Sequence, residues 1–279
     1  MIQRFIAGTK RALGLHHPGR NLDVFPDDTF LVSYPKSGNT WTRFLIANLV
    51  YAARHPDFSN INELIPDPEA LSKRHLKSLP RPRILKSHQY FDPRYQKVIY
   101  IVRDPRDVVL SEYHFQIKRR LIAEEFPLAE FVARFLGDQQ DHPYGNWFEN
   151  VGSWFFTRGS HPGFLLVRYE ALQSQAGPEM GRIAKFLGVR GDSASLAYAI
   201  EQSSADRMRE LEKKQAHLWS STKDTRLDKP FVRKAMAGGW RTELPQECAA
   251  MIEAAWGRLM TDLGYELSVH TMVESVVGS

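Results

Sequence analysis

The sequence predicts an α/β fold in which a single domain holds a central parallel sheet flanked by helices. From residue 29 onward, short apolar runs alternate with longer segments of helical composition, the order that a parallel sheet requires. The run Lys97–Arg103 (KVIYIVR) is almost entirely apolar, as expected of a strand covered on both faces. A glycine-containing turn joins the first apolar run to the first helical segment. Such a turn leaves backbone amides unpaired at the start of a helix.

The elements follow in order along the chain. The predicted strands are Thr29–Tyr34, Arg83–Ser87, Lys97–Arg103 and Phe164–Arg168. The predicted helices are Thr40–Ala53, Asp104 to about Lys118, Tyr169 to about Leu187, 195–213 and 246–263. Proline at position 105 suits a first helical turn. The segments 54–82 and 214–245 are predicted to be long loops, which in α/β domains are usually lids or binding walls.

Composition excludes several classes of protein. Hydrophobic residues make up 43% of the 279 residues, which excludes a disordered chain, and no apolar run approaches the length of a membrane span. Cys248 is the one cysteine, so an intramolecular disulfide and a cysteine-based zinc site are both excluded. We therefore expect a reducing, cytoplasmic location. No cluster of residues has metal-ligand spacing, so we predict no metal site.

The net charge of +5 is concentrated at the N-terminus. Residues 1–20 carry four basic and no acidic residues, so the rest of the chain contributes only +1. No nucleic-acid-type run of Lys and Arg follows residue 20, and we predict no nucleic-acid partner. Because the body is nearly neutral, an anion site there has to be local. This favours a small anionic ligand.

The N-terminal segment is amphipathic as well as basic. Ile2, Phe5 and Leu13 are among the residues that form one helical stripe. Residues 1–15 are compatible with weak contact to a membrane surface, with a mitochondrial transit peptide, or with a helix packed on the domain or a frayed terminus. A secretory signal peptide is not expected, because there is no continuous apolar region.

The turn Ser33–Trp41 (SYPKSGNTW) carries the clearest chemical signal. Its backbone N–H groups point outward at the positive end of a helix dipole, which makes an anion site. Lys36 adds a charge, and Gly38 permits close approach of a ligand. The turn is not a Walker A motif, because no Gly-Lys pair occurs in the chain. Taken alone, it is also compatible with an ordinary helix start.

The segment Tyr34–Trp41 resembles the 5′-phosphosulfate loop of the cytosolic-type sulfotransferases that use 3′-phosphoadenosine 5′-phosphosulfate (PAPS). Other segments resemble motifs of the same family in the same order. They are Lys86–His88, Val102–Ser111, Tyr144–Trp147 with Trp154, Val167–Glu170, and Phe231–Lys234 followed by Gly238–Trp240. The resemblance implies a P-loop-like phosphosulfate-binding turn within a sulfotransferase domain, which we place at residues 21–279.

The resemblance also implies roles for individual residues. His88 is the expected general base, and Lys36 and Lys86 are expected to act on the transferring group. The PAPS co-substrate is expected to be bound at three places. These are its 5′-phosphate (Lys36, Ser37, Gly38, Asn39, Thr40), its adenine (Trp41, Tyr169) and its 3′-phosphate (Arg103, Ser111, Arg233, Lys234). Three structural alternatives stay open: Lys86 is a surface lysine, Trp41 packs in the core, or Arg106 competes for the phosphate. We expect Arg106 to face solvent or pair with an acidic neighbour.

The implied reaction is sulfuryl transfer to a hydroxyl, or less readily an amine, of a small hydrophobic or aromatic acceptor. The residues predicted to form an apolar acceptor pocket are Tyr90, Phe91, Tyr113, Phe115, Tyr144, Trp147 and Phe231. The chain departs from the family at Ala205, which replaces a stacking aromatic residue, and at Ala235, which replaces a glycine. The identity of the acceptor and the oligomeric state stay open. The competing classes are a phosphotransferase and a non-catalytic nucleotide- or membrane-binding protein.

Overall fold

The computed structural model describes residues 22–268 apart from 138, 140–142, 220 and 234. The basic segment 1–20, with its predicted membrane-surface contact, and the predicted ligand Lys234 lie outside the described residues. Within the described part of the chain, no helix is both long enough and apolar enough to span a membrane.

The described residues contain a sheet of four parallel strands. The strands are β1 (Thr29–Ser33), β2 (Ile84–Ser87), β3 (Lys97–Val102) and β4 (Phe164–Arg168). Their order in the sheet is β2-β1-β3-β4. The predicted α/β class is therefore confirmed, and each predicted strand is present with its ends shifted by one residue at most. Because the chain crosses to opposite sides of β1, a crevice opens at the carboxyl ends of β1 and β3.

Helices cover both faces of this sheet. They are α1 (Asn39–Val50), α2 (Ile61–Leu64), α3 (Lys73–Ser78), α4 (Pro105–Lys118), α5 (Leu128–Leu136), α6 (Trp147–Arg158), α7 (Tyr169–Ser174), α8 (Ala176–Leu187), α9 (Ser193–Gln202), α10 (Ala205–Gln215), α11 (Trp240–Glu243) and α12 (Gln246–Asp262). As predicted, α4 begins after Asp104, whose side chain caps it by accepting a hydrogen bond from the Arg106 amide at 3.0 Å.

Two predicted helices are each divided into two. The helix predicted from Tyr169 to Leu187 breaks at Gln175, whose φ of −136° and ψ of 51° are not helical. The helix predicted over 195–213 breaks at Ser203, which is fully buried and accepts hydrogen bonds from Trp41 Nε1 (2.8 Å) and Asn48 Nδ2 (3.1 Å). Tertiary contacts with α1 therefore outweigh local helix propensity at this position. The predicted loops 54–82 and 214–245 contain the short helices α2, α3 and α11.

Alternate residues of the strands face two separate apolar layers. Phe30 and Tyr100 point to the layer that contains Trp154 of α6. Leu31 and Ile99 point to the opposite layer, built largely from α1, α8 and α9. Burial on both faces fixes the register of the strands. Polar chemistry is therefore confined to the carboxyl edge of the sheet, where the loops begin.

Candidate active site

A cavity of about 620 Å³ lies at the carboxyl edge of the sheet. Most of the predicted site residues that the structure describes line it, namely Lys36, Gly38, Asn39, Thr40, Trp41, Lys86, His88, Arg103, Ser111, Tyr169 and Arg233. Ser37 does not line it, because its side chain is fully buried beneath the turn. The fold thus gathers residues from five separate segments of the chain around one space.

The turn between β1 and α1 depends on the glycine at position 38. Gly38 has a φ of +93°, and a Cβ atom there would lie 2.5 Å from Cδ2 of Tyr169. Among the described residues no side chain caps α1 at this position, so the first amides of the helix remain available to an anion. The side chain of Asn39 holds the turn onto β1 by donating to Ser33 Oγ at 3.2 Å.

Lys36 lies in an apolar environment beside this turn. Its Nζ is 3.7 Å from the ring centre of Phe115 and 4.7 Å from that of Phe231. Burial lowers the pKa of Lys36 to about 8 and the neighbouring cations, Arg103 first, add to this effect, while the Glu112 carboxylate opposes it. A lysine with this pKa gains strongly from an anionic ligand.

His88 follows β2 and has a defined tautomer. Its Nδ1 lies 2.7 Å from the carbonyl oxygen of Ser33. Because a carbonyl only accepts, Nδ1 carries the proton and the lone pair is on Nε2. The backbone is held as well: Asn150 Nδ2 donates to His88 O at 3.0 Å, and Tyr100 Oη donates to Asn150 Oδ1 at 2.9 Å. The imidazole is thus oriented as a base.

Lys86 lies on β2 and pairs with a carboxylate. Its Nζ is 2.6 Å from Asp67 Oδ2, and each of these side chains is only 16% exposed. The interpretation of Lys86 as a surface lysine is therefore wrong. Asp67 comes from the segment that the sequence predicted as an acceptor wall.

Arg103 connects the turn to a later loop. It donates to Lys36 O at 3.3 Å and to Met236 O at 3.1 Å, and its guanidinium lies 4.3 Å from the ring centre of Tyr169. Its Nε is buried and has no hydrogen-bond partner among the described residues. Ser111 lies about two helical turns further along α4 and lines the same cavity.

Arg106 does not compete for the cavity. It is 1% exposed and bonds to Asp104 and Glu253, and its guanidinium lies 3.6 Å from the ring centre of Trp240. The expectation that it pairs with an acidic neighbour is confirmed, and the solvent-facing alternative is wrong. Its burial beneath α11 is the physical reason.

The loop from Phe231 to Trp240 is tied down at several points. Asp107 accepts hydrogen bonds from the amides of Gly238 (2.7 Å) and Trp240 (2.9 Å). Gln173 accepts from the Ala237 amide at 2.7 Å and donates to Ala235 O. Ala235 has a φ of +49°, a left-handed conformation that favours glycine. The alanine thus retains the backbone shape expected of the glycine that it replaces.

Trp41 and Tyr169 meet edge to face on one wall of the cavity. Their ring centres are 5.6 Å apart at an angle of 71°. The Trp41 indole donates to Ser203 O at 2.8 Å, while one face of the residue stays at the cavity. Ala205 lines the same wall at the start of α10. Trp41 is therefore partly buried: it packs against the apolar layer beside α1 and also lines the cavity.

The sulfotransferase domain family matches residues 26–264 of the chain. The chain belongs to the sulfotransferase family. It is 28% identical to sulfotransferase 1B1 of Mus musculus over 90% of this chain and 87% of that protein. It is 29% identical to sulfotransferase 1E1 of Rattus norvegicus over 85% of this chain and 84% of that protein.

Solved structures show the same fold. A structure of mouse sulfotransferase SULT7A1 complexed with PAP has a TM-score of 0.71 at 24% identity and covers 87% of each chain. A structure of retinol dehydratase with androsterone and the inactive cofactor PAP has a TM-score of 0.69 at 22% identity, over 90% of this chain and 85% of that one. The predicted family and enzyme class are thus confirmed, and both of these solved structures hold PAP.

The aromatic residues predicted for the acceptor pocket of this sulfotransferase divide into two groups. Phe115, Tyr144 and Phe231 line the cavity. The others are engaged elsewhere: Tyr90 with Glu149, Phe91 with Trp154, Tyr113 with Phe131, and Trp147 with Arg103 O. Those four assignments are wrong, because Tyr113 and Trp147 lie within helices α4 and α6, and Tyr90 and Phe91 contact residues of α6.

Several residues around the sulfotransferase site were not singled out from the sequence. Asp67 pairs with Lys86, Asn150 holds the backbone of His88, and Gln173 and Asp107 fasten the later loop. Only Asp107 carried a signal, because it lies within the segment that resembles the family's 3′-phosphate motif. The other three act through contacts between distant segments.

Proposed function

We propose that this sulfotransferase transfers the sulfuryl group of PAPS to a hydroxyl of a small hydrophobic or aromatic acceptor, with His88 as the general base. The observation that carries the proposal is the oriented imidazole of His88, which lines the same cavity as the anion-binding turn and Lys36. Nε2 takes the proton of the acceptor hydroxyl as its oxygen attacks sulfur. A base placed in this way typically contributes about 10²–10⁴ in rate.

The donor is held along the sheet edge. The Ser37 amide donates to Tyr34 O at 3.3 Å. The amides of residues 38–40 and the Lys36 ammonium therefore bind the 5′-phosphate and stabilise the charge that grows there as the bond from sulfur to the bridging oxygen breaks. Arg103, Ser111 and Arg233 bind the 3′-phosphate, since a guanidinium fork matches phosphate oxygens. Trp41 and Tyr169 contact the adenine. Lys86 contacts the oxygens of the sulfuryl group during its transfer.

The acceptor occupies the apolar side of the cavity. Phe115, Trp219 and Phe231 line it, and Tyr144 lies 5.5 Å from the His88 ring, measured between ring centres. These aromatic side chains suit a hydrophobic alcohol or phenol. Related structures hold androsterone in one case and retinol in another. The cytoplasmic location stays a prediction from the cysteine count.

The proposal is tested with labelled donors and a panel of phenols, steroid alcohols, aliphatic alcohols and amines. We expect radiolabel from [³⁵S]PAPS on at least one hydroxyl compound and no transfer from [γ-³²P]ATP. Transfer from ATP would favour the phosphotransferase alternative. Labelling confined to amines would contradict the assignment of a hydroxyl acceptor.

We expect the affinity for adenosine 3′,5′-bisphosphate (PAP) to fall as the pH rises from about 7 to about 9. The pKa of Lys36 in the free protein is lowered to about 8, chiefly by burial, so the ammonium is charged below this pH and neutral above it. The phosphate stabilises the charged form, so binding takes up a proton and weakens as the pH rises. Calorimetric titrations across this range measure the effect.

The matched control is Lys36→Met, which lacks the titrating ammonium. It should bind PAP more weakly at about pH 7 and show a flatter dependence on pH. A wild-type affinity that stays constant across the range would contradict the assignment of Lys36 to the donor phosphate.

A further inference from the structure

The cavity wall contains a largely buried ion pair, Lys86 with Asp67, and the reaction proposed above gives no role to its carboxylate. Lys86 Nζ lies 2.6 Å from Asp67 Oδ2. Both side chains line the cavity and are only 16% exposed. Because taking two charges out of water is costly, such a pair is weak evidence for a role in stability. Its place on the wall that carries His88 points instead to function.

The carboxylate of Asp67 is fixed by its own surroundings. The amide of Glu69 donates to Asp67 Oδ1 at 3.1 Å, which leaves Oδ2 directed at Lys86. Just before it, Pro66 O accepts the Lys86 amide at 2.8 Å. The buried Arg43 side chain donates to Ile65 O at 2.7 Å. The segment that carries Asp67 is thus bonded to both β2 and α1.

Asp67 stays ionised although it is largely buried in the cavity wall. Burial alone would raise the pKa of its carboxyl, but the Lys86 ammonium, followed by the Arg43 guanidinium, outweighs burial and holds the pKa below its usual range. Asp67 therefore stays a carboxylate at neutral pH. A lysine side chain has several rotatable bonds and much conformational freedom, which a fixed anion at its tip restricts.

We propose that Asp67 is a positioning residue that holds the Lys86 ammonium toward the transferring sulfuryl group. The inference rests on the proposed function, in which Lys86 contacts that group. An ammonium has three N–H donors. One of them is directed at Asp67, and the other two are the donors proposed to contact the sulfuryl oxygens. Asp67 acts through Lys86 and does not itself touch the reacting atoms.

The first test is Asp67→Asn, which keeps the shape of the side chain and removes its charge. We expect kcat to fall by about tenfold, the effect of losing one charge-assisted contact. The Kd for PAP should stay within about twofold of wild type, because PAP lacks the sulfuryl group that Lys86 faces. Asp67→Glu, which restores the carboxylate, should recover part of kcat. Weakened binding of PAP that accounts for the whole loss would show a merely structural role and overturn the inference.

The second test is a double-mutant cycle with Lys86→Met. If Asp67 acts through Lys86, adding Asp67→Asn to Lys86→Met should change kcat by less than about twofold. Losses that multiply would overturn the inference. The Tm and the Kd for PAP of all four proteins show that each variant is folded.

The cycle also separates this inference from the function on which it rests. A wild-type kcat in Lys86→Met would show that Lys86 takes no part in the reaction, and it would also overturn the positioning role of Asp67. A large loss in Lys86→Met together with a wild-type kcat in Asp67→Asn would overturn the positioning role alone. The sulfotransferase assignment itself fails only if the wild-type protein transfers no label from PAPS.

Discussion

Replacement of His88 by alanine is expected to lower kcat by about 10²–10⁴ and to leave the Kd for PAP nearly unchanged. The imidazole is the proposed acceptor of the hydroxyl proton, and its Nδ1 proton is held by Ser33 O at 2.7 Å. The residues that would hold the donor belong to other segments of the chain, so donor binding should survive. Steady-state kinetics with PAPS and the best acceptor of the panel measure the loss.

His75→Ala is the matched control, because His75 is an exposed histidine on α3. We expect it to retain wild-type kcat. Near-wild-type turnover in His88→Ala at neutral pH would remove His88 as the base. An equal loss of PAP affinity and of turnover would show that the imidazole has a structural role in the site and is not the base.

Replacement of Arg103 by alanine is expected to weaken PAP binding by about tenfold to a hundredfold. Losing one charge-assisted contact costs about 1.5–3 kcal/mol, and each 1.4 kcal/mol is about tenfold in Kd. The Arg103 side chain lines the cavity, and its Nε is buried with no partner among the described residues. Calorimetry with PAP measures the change.

Two further variants sharpen this test. Ser111→Ala removes one neutral donor and should cost less than Arg103→Ala. Arg134→Ala removes an arginine that pairs with Glu130 on the exposed surface and should leave PAP binding unchanged. If Arg103→Ala weakened ADP and PAP binding equally, Arg103 would be maintaining the turn through Lys36 O rather than binding the 3′-phosphate.

The strands could be predicted from the sequence because their signal is local. A run such as Lys97–Val102 is apolar after its first residue, and burial on both faces demands this composition. The breaks at Gln175 and Ser203 could not be predicted. Ser203 leaves the helical path to accept hydrogen bonds from α1, more than 150 residues away in the chain. The pattern of residues around Ser203 in the sequence does not indicate contacts with such a distant segment.

Some residues of the candidate site could likewise be predicted from the sequence, and others could not. Lys36, His88 and Arg103 lie within short motifs at strand ends, and the parallel sheet brings strand ends together. Asp67 lies in a segment without regular structure, and its partner Lys86 is 19 residues away. The Ser37 side chain is fully buried and does not line the cavity. Motifs thus predict the residues that meet the donor better than those that support them.

The placement of the donor nucleotide in this cavity is tested most directly by comparing two affinities of the unmodified protein, for PAP and for ADP, measured by calorimetry at neutral pH. The two nucleotides share the adenosine and the 5′-phosphate, and only PAP carries a 3′-phosphate for Arg103, Ser111 and Arg233. We expect PAP to bind at least about tenfold more tightly than ADP, since even one lost charged contact costs that much. Equal affinities would contradict the 3′-phosphate site and, with it, the placement of the donor in this cavity.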